Sequence, residues 1–488
     1  MKQLEVIRSM ANPKVVDIKK RVREIILSSK GDTRVTVESY HKVYAALEKA
    51  NVIVQPKSID NSDASFGAMR LGIKGYNLKL VRDSEYSKYI DHLSDAQVAD
   101  VCGWHSKSQK TQISGARKDH RIFVSDFSKH REYTDEAAQH QKYVPSVIGF
   151  FCYNTDKRQL LPFAITILDT KLTYTTQDTP EEWQLAKMAL DAADANFQQM
   201  RHFVEVHMMS IPVQVEMMRS MATNHPIYAL LDYHFFTNFA LEHLARTALF
   251  AAKSDYDQTM AFGASGSLRY IYQDFDKVSF QDDFPTDIEA RGLRYLPIHR
   301  YAKYGKKYYK AVKEFVTSYV HAYYPTDAKV RNDSELQLWA KRASQIKKIH
   351  GFPTEFRSRS DLIKLVTHLV FLNSVKHHFM NGAVTWHGST APYSTGAIWN
   401  KPLPTKKGVK VNPLDYAIPL EKVPELVSVN ANFLRPVPRK YTALETYNAA
   451  PFTNEPKLTK PIAEFHNAME ALEKTIVEAE SKEELQMT

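Results

Sequence analysis

Only two cysteines, Cys102 and Cys152, occur in 488 residues. A disulfide framework is therefore not expected, and a reducing, cytoplasmic setting is the easier home. No apolar run approaches the length of a membrane span, and the opening Met1-Lys2-Gln3-Leu4-Glu5 lacks the apolar stretch of a secretory signal. Internal repeats, low-complexity tracts and flexible linkers are also missing. Gly263-Ala264-Ser265-Gly266 has neither the spacing nor the lysine of a phosphate-binding loop and reads as structural.

What is present is ordinary for a folded protein: 43% hydrophobic and 25% charged residues. The net charge is +10, from 65 basic and 55 acidic residues. The densest basic run, Tyr301 to Lys310, continues as an amphipathic pattern, so its lysines read as a solvated helix face. No nucleic-acid partner is expected; an attraction for anionic surfaces or fatty carboxylates is compatible with the same charge.

Along the chain, Val15 to Ser29 and Val37 to Asn51 read as two amphipathic helices. Val147 to Phe151 and Leu160 to Ile167 flank the polar Asn154–Arg158, which suits a hairpin. Pro180-Glu181-Glu182 places a proline and acids in a helix's first turn. Helical patterns follow over Phe197 to Met221, His225 to Phe250, Lys306 to Ala322, Ser334 to Ile349 and Ser360 to Asn381. The segment 386–461 holds 11 of the 22 prolines and is expected to wrap the surface as extended chain. A charged helix begins near Ile462. The fold class is mainly α, one large helical domain with a few short strands.

Two clusters carry candidate ligands: Gln198 to His207, and Lys376 to Asn381. Imidazoles with a few oxygen donors suit a divalent transition metal, notably iron, with positions left open. His377 and Asn381, four apart, lie about 40° apart on an α-helix. His202 and His207, five apart, lie about 140° apart and would diverge unless a π-type turn between Phe203 and Val206 brings them back to one face. With 19 histidines in the chain, pairs at such spacings also arise by chance. Both pairs sit within apolar helices, where unpaired polar groups are costly to bury.

Beyond these clusters, the chain resembles the lipoxygenase family over roughly residues 65 to 475. The resemblance rests on an ordered set: Arg121-Ile122-Phe123-Val124-Ser125-Asp126-Phe127, Leu161-Pro162-Phe163-Ala164-Ile165, Trp183-Gln184-Leu185-Ala186-Lys187, the His202/His207 pair, His225-Pro226-Ile227-Tyr228, Ala245-Arg246 and Pro402 to Gly408. It implies a lipoxygenase-type helical domain whose metal ligands are His202, His207, His377 and Asn381. The metal would be iron, with manganese the rarer choice. Gln198 falls at a glutamine near the site, and Phe203, Met208, Ala245 and Leu249 fall at positions lining an apolar substrate channel. His225, His234 and His378 are expected to be structural. The implied activity is hydrogen abstraction from an unsaturated fatty-acid-like substrate and addition of O2 to give a hydroperoxide. Alternatives are a diverged iron oxygenase with another biosynthetic substrate and a non-enzymatic lipid-binding relic.

Two departures from the family pattern shape further expectations. The family ends in an aliphatic residue whose main-chain carboxylate binds the metal; this chain ends Leu485-Gln486-Met487-Thr488, and its tail looks too short for that route. Residues 1–65 look like a helical segment, a candidate lid, in place of an N-terminal β-barrel, with the catalytic domain over 66–488. Substrate identity and oligomeric state are not legible.

Overall fold

The computed structural model describes residues 19–20, 23–24, 27, 36–49, 61–72, 76–89, 91–94, 101–103, 113–135, 141–236, 238–380, 391–394, 396–433, 442 and 444–481. The first expected helix, Val15 to Ser29, lies largely outside these residues, as do Asn381 and the tail at Thr488. Helix α1 (Val37–Lys49) packs Tyr40 and Val43 into the main core, and the Tyr40 hydroxyl donates to the Ile418 carbonyl at 2.5 Å. The boundary placed at residue 65 falls inside helix α2 (Asp63–Ala68). No described helix is long and apolar enough to cross a membrane.

Five strands form an open antiparallel sheet in the order β1-β2-β4-β5-β6: Lys79–Leu80, Ile122–Phe127, Val147–Asn154, Gln159–Ile167 and Leu172–Thr175. Strand β3 (Lys142–Tyr143) pairs separately with β7 (Ile398–Trp399). The expected hairpin is β4–β5, and every residue of β4 is buried. Both faces of the sheet are covered, which explains the continuous apolar runs in place of alternation. One face, with Phe151 and Ile165, joins the main core; the other, with Phe150, Phe163 and Cys152, packs on Tyr86 and Tyr89. Gly149 faces helix α3 (Pro180–His202), where an added Cβ would meet a Leu190 methyl at 2.3 Å.

The cysteine expectation is overturned: Cys102 and Cys152 are joined, with Cα atoms 5.3 Å apart and a sequence separation of 50. The segment around Cys102 is held beside β4 by polar contacts, because Asn154 donates to the Val101 carbonyl at 2.9 Å and Arg121 to the Cys102 carbonyl at 2.6 Å. Such bonds persist in oxidising compartments.

Helix α3 runs through the centre. Thr179 caps it by accepting from the Glu182 amide, and Pro180 occupies its first turn. The first apolar helical stretch is one long element: α3 continues through a turn at Phe203–His207 into α4 (Met208–Ser220). The stretch expected from His225 to Phe250 is two helices, α5 (Pro226–Phe235) and α6 (Asn238–Ala248). Then come α7 (Gly263–Asp274), α8 (Arg300–Tyr323), α9 (Ser334–Ser344) and α10 (Arg359–Phe371). Gly266 lets α7 touch the backbone, since a Cβ there would lie 1.9 Å from the Tyr133 carbonyl oxygen. On α8, Tyr301 and Tyr304 are buried while Lys303, Lys306, Lys307 and Lys310 are exposed, the arrangement expected of a solvated basic face. The proline-rich segment also differs from expectation. It contains helix α11 (Val423–Phe433), with Pro424 in a first turn where no amide is needed and Leu426 and Val427 buried. Helix α12 (Thr459–Ser481) packs against α8 through Phe465 and Phe315.

One buried base makes stability depend on pH. His130 sits among the rings of Phe127, Tyr133, Phe262 and Tyr270, and neither ring nitrogen has a hydrogen-bond partner. Burial lowers its pKa to about 3. Below the ordinary histidine value of about 6.5 the unfolded chain takes up a proton that the folded chain refuses. Its contribution is therefore intact above pH 6.5 and is lost as pH falls towards 3. His130→Phe is expected to gain about 2 kcal/mol on the wild type between pH 8 and pH 5. Urea denaturation at both pH values checks this; a difference independent of pH would contradict it.

Candidate metal centre

The five-residue spacing of His202 and His207 is resolved as the sequence requires. Residues Phe203–His207 form a π turn, with the Met208 amide bonded to the Phe203 carbonyl five residues back. The extra residue turns His207 to the side of His202. A second π turn, Leu372–Lys376, continues α10, and the His377 amide likewise reaches the Leu372 carbonyl. It sets His377 opposite the first pair.

The three imidazoles form a nearly equilateral triangle, with ring centroids 4.8 Å apart for His202 and His207, 5.0 Å for His202 and His377, and 4.9 Å for His207 and His377. One potential ligand nitrogen from each lies within 4.8 Å of the others. His202 and His207 are 2% and 4% exposed. Both ring nitrogens of His202, and Nδ1 of His207, have no hydrogen-bond partner. Burying such groups unsatisfied is costly, and a single ion at the centre would engage one nitrogen from each ring. Burial, then the neighbouring His207 and His377, holds His202 well below its ordinary pKa; burial alone brings His207 to about 4. Neutral imidazoles are the form that binds a metal. The residues present thus fit a divalent transition metal with a nitrogen-rich donor set.

The other expected site residues are placed as follows. Gln198 is 1% exposed and donates from Nε2 to the Met380 carbonyl at 3.3 Å, tying α3 to the end of the His377 helix. The Phe203 ring lies 5.4 Å from His202, 5.1 Å from His207 and 4.9 Å from Phe250. Ala245 and Leu249 are buried, and Met208 is half-buried against the same core. Asn381 lies outside the described residues. His225 caps α5 through the Ile227 amide and meets Asp333 at 3.0 Å, and His234 meets the Tyr447 hydroxyl at 2.7 Å. Both thus have hydrogen-bond partners within the fold, and His378 is exposed.

Three features escaped the sequence reading. Phe250 meets Phe203 edge to face from just beyond α6, a position with no ligand-like neighbour to mark it. Gln199 is 1% exposed with neither side-chain amide atom hydrogen-bonded. On the helix it falls about 60° from His202, between His202 and Phe203. Glu205 and Lys376 lie inside the two π turns and pair with each other; a charge within each apolar helix was the available signal.

Comparison with known proteins places these features in context. The Lipoxygenase family description matches residues 166–487. A manganese lipoxygenase of Colletotrichum gloeosporioides is 29% identical over 341 residues, covering 67% of this chain and 55% of that protein. A polyunsaturated fatty acid lipoxygenase of Mus musculus is 28% identical over 243 residues, covering 47% of this chain and 37% of that protein. The chain therefore spans little more than half the length of the first relative and less of the second. In structure, the manganese lipoxygenase of Gaeumannomyces graminis superposes with a TM-score of 0.84 at 23% identity, covering 98% of this chain and 86% of that one. At that identity the likeness bears on the fold.

Proposed function

The chain belongs to the lipoxygenase family, and from that premise we propose that it is a non-haem metal dioxygenase acting on an unsaturated fatty-acid-like substrate with O2 to give a hydroperoxide. The observation that carries the reading is the convergence of His202, His207 and His377, the first two buried, so that one nitrogen of each can reach a common point from two helices more than 150 residues apart. Asn381, four residues after His377 in sequence, is the proposed fourth ligand. The bound metal supplies one-electron chemistry that no side chain here offers. The chain's own residues hold, orient and exclude. Phe203 and Phe250, with Met208, Ala245 and Leu249, form the proposed apolar wall beside the imidazoles, where a substrate carbon can be held close and water kept out. Gln198 fixes the second helix against the first.

Iron was the expectation from the sequence. The manganese named for the fungal relatives supports manganese equally, since imidazole and amide donors suit both. Elemental analysis separates them. A cytoplasmic location, proposed from the low cysteine count, has to accommodate the Cys102–Cys152 bond.

The activity is tested by incubating metal-loaded protein with linoleate while following oxygen uptake and conjugated-diene absorbance together. Uptake with matching diene formation is expected. Uptake on other apolar substrates alone would move the assignment to a diverged oxygenase. No uptake by fully loaded protein would leave a binding role and overturn the dioxygenase reading.

A further inference from the structure

Behind the imidazole triangle lies a second constellation, made of charges. Glu205, inside the first π turn, pairs through Oε2 with the Lys376 ammonium, inside the second. The Tyr76 hydroxyl bonds the same carboxylate and accepts from Lys376 at 2.8 Å. Arg201 holds the other oxygen of Glu205 and reaches Asp274 of α7 at 2.5 Å. Tyr270 and Lys277 complete the set on Asp274 at 3.0 and 2.6 Å. Glu205 and Lys376 are each 8% exposed at the side chain. The network floors a cleft of about 600 Å³ whose lining includes Arg201, Glu205, Met209, Leu372 and Lys376 and none of the three histidines. It therefore works on the far face of the two metal-bearing helices.

We propose that the Glu205–Lys376 ion pair is a positioning device for the metal site, locking the two π turns back to back so that His207 and His377 face each other before any metal arrives. This rests on the metal reading above. Single π turns are irregular insertions that surrounding structure must maintain, and here each carries one half of the pair. A buried ion pair is a poor source of net stability but a strong geometric constraint, because neither charge can move without losing its partner. Glu205 is two residues before His207, and Lys376 immediately precedes His377. A slip of either turn would displace an imidazole. Tyr76 and Arg201 keep Glu205 hydrogen-bonded when Lys376 is absent, so the tie between the helices can be cut without stranding the carboxylate.

The test uses full-length protein stripped of metal and titrated with Mn2+ alone, read by chelator competition and by the electron paramagnetic resonance spectrum of the bound ion. Lys376→Met is expected to weaken Mn2+ binding roughly 10–100-fold, the range for supporting residues around a metal. Its spectrum should be altered, while metal-free melting stays close to wild type. Lys376→Arg, which restores the cation, is expected to recover both affinity and spectrum. If Lys376→Met does not fold, the uncharged Glu205→Gln/Lys376→Gln variant takes its place with the same expected loss. Binding and spectrum indistinguishable from wild type in either variant would overturn the proposal. A wild-type protein that binds no metal overturns instead the reading on which it rests.

Discussion

Replacing His207 with alanine is expected to leave a folded chain that no longer retains its metal. His207 is 4% exposed, and its Nδ1 has no hydrogen-bond partner. Without metal, the side chain is a buried polar group with little to hold it, and its removal costs the metal-free fold little beyond the space vacated. With metal, it is one corner of a triangle whose sides are all about 5 Å. Losing a direct ligand should exceed the 10–100-fold cost of losing a supporting contact. Binding to the folded state alone raises stability by about 2.7 kcal/mol at a metal concentration 100 times the dissociation constant. Wild type should therefore melt higher on adding metal, and His207→Ala should not. A variant that keeps full metal stoichiometry and the same rise would remove His207 from the ligand set.

The second large effect lies at the middle of α3. Arg70 is fully buried, and its guanidinium bonds the Phe66 carbonyl at 2.9 Å, pairs with Asp191, approaches Asp194 at 3.5 Å and stacks 3.9 Å over the Phe66 ring. These contacts fasten the segment after α2 to the helix that bears His202. Arg70→Met deletes the cation and leaves two carboxylates 2% and 1% exposed. Breaking a buried pair from one side costs about 3–5 kcal/mol. A neutral replacement of the whole set, Arg70→Met with Asp191→Asn and Asp194→Asn, should recover most of it, since the two positions that lose the guanidinium then carry no buried charge. Urea denaturation of both variants distinguishes the outcomes. A loss below about 1 kcal/mol in Arg70→Met, the scale of a surface pair, would show that Arg70 serves only as packing.

How much of this was readable in the residues follows from the range of each signal. The π turn at Phe203–His207 was legible because two candidate ligands five apart cannot share a face of a regular helix. The second π turn was not, because only His377 follows it and the His377–Asn381 spacing is itself regular. Local chemistry marked the helix start at Pro180-Glu181-Glu182 and the hairpin at Asn154–Arg158. It gave no warning of the break between α5 and α6, where Phe236 is followed by neither glycine nor proline. Nor could it show α11, since prolines count against a helix unless they fall in its first turn. The Cys102–Cys152 bond and the Glu205–Lys376 pair join residues 50 and 171 apart. Such partners carry no periodic pattern and become visible only when the fold brings them together.

The central claim is that His202, His207 and His377 hold one metal ion between them. Metal analysis combined with X-ray absorption at the metal edge tests it on the purified chain after reconstitution with iron or manganese. The account predicts about one ion per chain in a first shell containing three imidazole nitrogens. Stoichiometry near zero, or a shell of oxygens without imidazole, would contradict it.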